Sequence, residues 1–159
     1  MDIDESDRHL LEVLQEDANA TINDLAFASH LSPASVQRRL KRLRDKGVIQ
    51  RQVAIVDQNV LDQKMSFVIL VELERERTDQ LDTFKRAAQR EPQVQQCYYV
   101  TGEADFVLLC VARDMDDFEQ LTRRLFFDNE NVRRFRTSVV MDRTKVGLAV
   151  PVWPDDTER

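Results

Sequence analysis

The stretch "SPASVQRRLKRLRDKG", residues 32–47, gathers the side chains best suited to gripping a polyanion. From Ser32 to Val53 the cations are Arg38, Arg39, Lys41, Arg42, Arg44, Lys46 and Arg51, and the only acid is Asp45. Arginine forks donate in pairs to guanine edges or phosphate oxygens, an amide such as Gln37 suits adenine, and hydroxyls such as Ser32 and Ser35 serve near the positive end of a helix. Residues 1–24 reverse the balance, with Asp2, Asp4, Glu5, Asp7, Glu12, Glu16, Asp17 and Asp24 against Arg8 alone. A net charge of −6 argues against indiscriminate binding of nucleic acid. A local patch can still carry the opposite sign to the whole molecule.

The elements that must position these groups have a helical period up to about Val56. Asp4 and Asp7 form a capping pair ahead of Leu10, Leu11 and Leu14, which share one face. "TIND" from Thr21 matches a capping box and points Ile22, Leu25 and Ala26 inward. Ser32 caps a third helix, Pro33 suits its first position, and Gly47 ends it as a left-handed residue. In that helix Val36, Leu40 and Leu43 form a narrow buried stripe. A step of about 100° per residue then puts Arg38 and Arg42 near the opposite side, flanked by Ser35, Gln37 and Lys41. Arg39 and Arg44 fall nearer the core edge and, with Lys46, are expected to meet phosphates or the acids of the first helix. Two helices across a short turn, after a leading helix, make a helix-turn-helix. The expected DNA-binding set is Ser32, Ser35, Gln37, Arg38, Lys41, Arg42 and Arg51. A merely solvated cationic face is the competing reading, and the cap-turn-cap spacing weighs against it.

From about Ser66 the period changes. "MSFVILVELE" reads as a strand, "TDQLDTFKRAAQREP" as an amphipathic helix, and "VQQCYYVTG" and "ADFVLLCVA" as two strands around Gly102–Asp105. "DMDDFEQLTRRLFF" reads as a helix capped by Asp114, with Met115, Phe118, Leu121 and Leu125 inward, and "VRRFRTSVVMD" as a last strand. The fold class is therefore α+β: an N-terminal three-helix (winged) helix-turn-helix domain joined to a βαββαβ ferredoxin-like domain. The expected boundaries are 1–56 for DNA binding, 57–65 for a hinge, 66–150 for the sheet domain, and 151–159 for a tail with Trp153 on a surface. A hairpin centred between Glu103 and Ala104 sets Cys97, Tyr99, Phe106, Leu108 and Cys110 on one face and Tyr98, Val100, Val107, Leu109 and Val111 on the other. Both faces are apolar, yet two helices cover only one, so a second copy is expected on the other. The alternative cover is the tail. Cys97 opposite Cys110 raises a redox switch, although buried cysteines more often serve as small apolar residues.

"DESDRHLLEVLQEDANATINDLAFASHLSPASVQRRLKRLRDKGVI" resembles the N-terminal domain of the Lrp/AsnC (leucine-responsive and asparagine-responsive regulator) family, through its D-x-x-D opening, "LSP" turn and "GVI" close. "PQVQQCYYVTGEADFVLLCV" and "NVRRFRTSVVM" are similar to that family's amino-acid-sensing RAM (regulation of amino-acid metabolism) domain. Departures are Ala18-Asn19 after the first helix, His30 where the turn often has glycine, and Asp62 where a hinge glycine is expected. His30 tolerates the left-handed region better than most residues. The resemblance implies a homodimer, often an octamer, that binds palindromic operators in double-stranded DNA and responds to a small amino acid. It also implies an effector loop at Thr101, Gly102, Glu103, Ala104 and Asp105. Asp105 or Glu103 would suit an α-amino group, and N–H groups around Gly102 an α-carboxylate. The plainer reading is a turn at Gly102 that Asp105 caps.

The rival from another class is an enzyme of the same plan, a sirohaem decarboxylase. With only His9 and His30 in the chain, neither in the second half, and with a basic helix present, the regulator is favoured and no catalytic residue is assigned. Neither a metal site nor a cofactor is expected. The acidic start, the short apolar runs and the sparse cysteines point to a reduced cytoplasmic protein with no membrane segment.

Overall fold

The computed structural model describes residues 2–154. The chain forms two compact units, one comprising residues up to Ile55 with the segment from Lys145 onward, the other Val56–Thr144.

The first unit holds α1 (Glu5–Glu16), α2 (Ile22–Ser29) and α3 (Pro33–Asp45). Both capping boxes form: Asp4 with Asp7 at α1, and Thr21 with Asp24 at α2. Ser32 Oγ accepts from Ser35 N at the start of α3, where Pro33 stands. These residues satisfy N–H groups that the helix cannot pair itself. His30 ends α2 at φ 54 and Gly47 follows α3 at φ 70, so both turns use the left-handed region. Leu10, Leu25, Val36 and Leu40 form the core of this unit, and Leu43 is fully buried as well. Residues 46–64, which follow α3, contain no strand. Residues 150–153 pack on α1. Gln15 Nε2 donates to Val150 O at 3.0 Å and Gln15 Oε1 accepts from Val150 N at 2.8 Å. Arg8 donates to Val152 O, and the Trp153 ring meets His9 edge-on at 4.8 Å. Residues 145–150, expected in the sheet domain, thus group with the helices.

The second unit contains β1 (Met65–Leu73), α4 (Thr78–Arg90), β2 (Val94–Tyr99), β3 (Phe106–Ala112), α5 (Met115–Thr122), a π-helical turn (Arg123–Phe127) and β4 (Val132–Val139). The sheet is antiparallel in the order β2-β3-β1-β4, as a ferredoxin-like βαββαβ chain requires. Phe67, Ile69, Val71 and Leu73 of β1 and Phe106, Leu108, Cys110 and Ala112 of β3 meet Phe84 and Ala88 of α4 and Phe118 and Leu121 of α5. Phe67 stacks on Phe118 with ring centroids 3.9 Å apart. Met115, expected inward, is 53% exposed, because the covered stripe of α5 starts one turn later at Phe118. Residues 58–62 form a turn within the expected hinge, with Asp62 left-handed at φ 57.

The hairpin register differs from expectation by two residues. Cys97 pairs with Leu108 and Tyr99 with Phe106, while Cys110 pairs with Val94 across a bulge. A two-residue slip keeps every side chain on its face, so the expected faces stand. It does separate the thiols. Diagonal neighbours on antiparallel strands are about 7–8 Å apart, beyond the roughly 4.4–6.8 Å Cα spacing of a disulfide.

Two outcomes follow. Ile69→Ala empties a fully buried central position and should cost about 2–5 kcal/mol in chemical denaturation followed by circular dichroism. Burial, with Cys97 adding a smaller share, pushes the Cys110 thiol up to about 12, and burial raises Cys97 also. Iodoacetamide at pH 8 should therefore leave Cys110 unmodified in the folded protein and alkylate it after denaturation. Rapid native labelling of Cys110 would refute the packing described.

Candidate nucleic-acid interface and ligand loop

α3 is anchored by Val36, Leu40 and Leu43, of which none exceeds 3% exposure. Burying each such side chain contributes about 1.5–3 kcal/mol, which is ample to hold one face of the helix down. Gln37, Arg38 and Lys41 stand exposed on the outer part, Ser35 is half-buried, and Ser32 is exposed at the helix start. Arg38 Nη2 lies 3.4 Å from Ser35 Oγ, a weak contact that leaves the guanidinium available. Lys41 pairs with Asp45 at 2.5 Å, but both side chains are well exposed. Exposed pairs of this spacing contribute roughly 0.3–0.5 kcal/mol, so a phosphate can displace the carboxylate. Arg51 is exposed on the extended segment after α3. Ser32 already accepts a bond as the helix cap, which leaves its hydroxyl hydrogen to donate.

Two arginines behave differently. Arg39 Nη1 reaches Asp4 at 2.6 Å and Asp7 at 2.9 Å, in line with the expected contact to acids of the first helix. Arg42, expected to face outward, places Nη2 on the other oxygen of Asp7. About 60° separates positions 39 and 42 around a helix, so both stand on the flank beside α1. Hydrogen bonds from Arg39 and from the Asp7 N–H hold the Asp4 carboxyl below the usual carboxylate range, and the two acids raise Arg39 in turn. Arg44 reaches Gln52 Oε1 at 3.3 Å, and Gln52 Nε2 donates to Ala18 O. The sequence points Arg39 at acids of the first helix but does not single out Asp7 as a partner shared with Arg42. The signal available was the i, i+3 spacing of Arg39 and Arg42 opposite a D-x-x-D pair.

In the second unit, Thr101, Gly102 and Glu103 are exposed and Ala104 is buried between β2 and β3. Gly102 takes φ 122, a region L side chains rarely enter. Asp105 is engaged with the backbone: its N–H donates to Val71 O at 2.9 Å and its Oδ2 accepts from Leu73 N at 2.6 Å. That is a capping role. Glu103 is 89% exposed, with Arg136 at 3.8 Å. Among the described residues the N–H groups of Thr101 to Ala104 form no hydrogen bond. The loop thus offers amide donors around Gly102, one accessible carboxylate and one carboxylate committed to β1. Among the described residues no helix is long and apolar enough to cross a membrane.

Residues 66–150 match the Lrp/AsnC ligand binding domain, and residues 3–50 match a winged helix-turn-helix DNA-binding domain. An uncharacterised helix-turn-helix-type transcriptional regulator of Sinorhizobium fredii is 43% identical over 96% of this chain and 90% of its own length. The leucine-responsive regulatory protein of Escherichia coli is 30% identical over 91% of this chain and 88% of its own. A Neisseria meningitidis transcriptional regulator solved with L-methionine superposes with a TM-score of 0.88 at 27% identity, covering 95% of this chain and 97% of that one. The feast or famine regulatory protein of M. tuberculosis, also complexed with L-methionine, has a TM-score of 0.82 at 28% identity, covering 91% of this chain and 96% of that one. With both halves matched in order and an anchored helix carrying outward cations, the chain belongs to the Lrp/AsnC family of DNA-binding transcriptional regulators.

Proposed function

We propose that this regulator acts in the cytoplasm as a homodimer or an assembly of dimers, placing one α3 in each half of a palindromic operator. A small amino acid held at residues 101–105 alters that binding and so controls genes of amino-acid metabolism. The observation that carries the DNA reading is Arg38: it extends from the side of α3 opposite the buried stripe and has no carboxylate partner among the described residues. Gln37, Ser35 and Lys41 supply the neighbouring donors and acceptors, and Ser32 and Arg51 approach the phosphates. Arg42 stands beside this set with its guanidinium on Asp7.

A dimer is supported by the sheet. On the face away from α4 and α5, Val68 and Leu70 of β1 neighbour Val107 and Leu109 of β3, and all are half-buried within one chain. The C-terminal segment, the other candidate cover, has its backbone bound to α1 through Gln15 and Arg8. A second copy of the same face matches its chemistry and gives the two-fold symmetry that a palindrome requires. The amino-acid reading is supported by the donors around Gly102 and by the relatives crystallised with L-methionine. Glu103 is the accessible partner for an α-amino group, whereas Asp105 shapes the loop from beneath.

Three outcomes test these statements. Arg38→Glu should lower affinity for a duplex selected by the wild-type protein by at least about 100-fold, since a good bidentate contact alone contributes about 1–3 kcal/mol and reversal adds repulsion. Fluorescence anisotropy reads it, and unchanged affinity removes α3 as the reading helix. Leu70→Asp should convert the assembly towards monomers in light scattering coupled to size-exclusion chromatography; an unaltered mass sinks the sheet-face dimer. With L-methionine as first probe in a calorimetric panel of amino acids, Glu103→Gln should weaken any binding roughly 10- to 100-fold, the range for loss of a charge-assisted bond. Binding that ignores this substitution places the ligand elsewhere.

A further inference from the structure

Two arginines of α3 are engaged inside the unit: the Arg39 side chain is 20% exposed, and Arg42, 43% exposed, has its guanidinium on a buried carboxylate. The Asp7 side chain is 1% exposed, with Arg39 at one oxygen and Arg42 at the other. Asp4 adds a second carboxylate on Arg39. The four formal charges cancel. Each guanidinium already holds, inside the unit, the kind of partner that a DNA phosphate would offer. The hydrophobic anchor of α3 is narrow: Val36, Leu40 and Leu43 span about 60° of its circumference. A stripe that narrow resists lifting better than rolling. Arg39 and Arg42 sit to one side of it, where a fixed carboxylate opposes rotation about the helix axis.

We propose that Asp7 is a positioning residue for DNA reading: it fixes the roll of α3 through Arg39 and Arg42 and withholds both cations from phosphates. Base reading then rests on Arg38, Gln37, Ser35 and Lys41, held at one angle to the groove. The inference rests on the reading that α3 enters the major groove. Its consequence is unlike that of a simple structural contact. Removing the carboxylate frees two long cations for any phosphate while loosening the helix that reads bases. Affinity for arbitrary sequence should rise as discrimination falls, because phosphate contacts carry no sequence information.

The test uses the full-length protein, a duplex selected from a randomised library by the wild type, and a scrambled duplex of equal length, each titrated across salt concentrations. For Asp7→Asn the selected duplex should bind at least about tenfold more weakly. The scrambled duplex should bind equally or more tightly, with a log–log salt slope steeper by roughly one to two phosphate contacts at about 0.9 each. A parallel loss on both duplexes with unchanged slopes, or no change on either, overturns the proposal. Circular dichroism checks that Asp7→Asn folds. If it does not, Arg42→Met decides: its salt slope on the scrambled duplex should equal that of the wild type while selected-duplex affinity falls. A slope shallower by about one contact shows that Arg42 itself grips phosphate, and the proposal fails. Failure of the underlying DNA reading is separate, because then Arg38→Glu has no effect on either duplex.

Discussion

An ionised carboxylate removed from water needs cations and donors at both oxygens, or it costs several kcal/mol. Asp7 meets that requirement with Arg39 and Arg42 from α3, and it serves as the N3 member of the capping box that starts α1. One residue therefore ties a local signal to a tertiary one. Its cap sets where α1 begins, and its carboxylate sets which flank of α3 lies against α1. Breaking a buried pair from one side typically costs about 3–5 kcal/mol, because the remaining charge is stranded. In a three-helix unit with a four-residue central core, that is a large share of what holds the reading helix still.

The sheet unit depends on a different constraint. Between the sheet and its helices lie large aromatics, Phe67 and Phe106 from the sheet, Phe84 from α4 and Phe126 from the π-helical turn, all nearly inaccessible. The opposite face is aliphatic along the middle strands and charged at the β4 edge, where Glu72 pairs with Arg134 at 2.8 Å and Arg136 at 3.2 Å. The Arg134 bond draws the Glu72 carboxyl below its ordinary range. An apolar strip bordered by satisfied ion pairs is the pattern of an interface core with a polar rim.

Much of this was legible in the sequence because it is governed by local chemistry. Asp4, Thr21, Ser32 and Asp114 cap helices where their types and spacing require. Gly47, His30 and Asp62 take left-handed backbone at the turns where glycine-like freedom is needed. Strand faces came out correctly because alternation has period two, but that same period leaves a slip of two residues invisible. The hairpin register was accordingly missed, and with it the position of Cys97. Arg42 was missed for another reason. A helical wheel locates Cα–Cβ directions, whereas an arginine's long stem lets its charge swing towards a carboxylate well off its own azimuth. The docking of residues 150–153 on α1 rests on hydrogen bonds between the Gln15 and Arg8 side chains and the tail backbone, with Trp153 against His9, and of these the sequence signals only a surface-bound Trp153.

The 101–105 loop, proposed above as the amino-acid site, joins a part fixed to the sheet to a part that is free of it. Asp105 bonds the end of β1 through both its N–H and its carboxylate, so the β3 side of the loop cannot drift from the sheet. On the other side, from Thr101 to Glu103, the amides have no hydrogen-bond partner among the described residues, and the Glu103 carboxylate is exposed on a glycine-dependent bend. A ligand binding there acts against a fixed wall. Any influence on DNA must come from binding two arrangements of the protein with different affinity. A loop joining the two strands β2 and β3 is well placed for that, because β3 neighbours β1 and supplies half of the aliphatic strip. On the proposed dimer, β3 is the strand that carries both the end of this loop and the half-buried Val107 and Leu109.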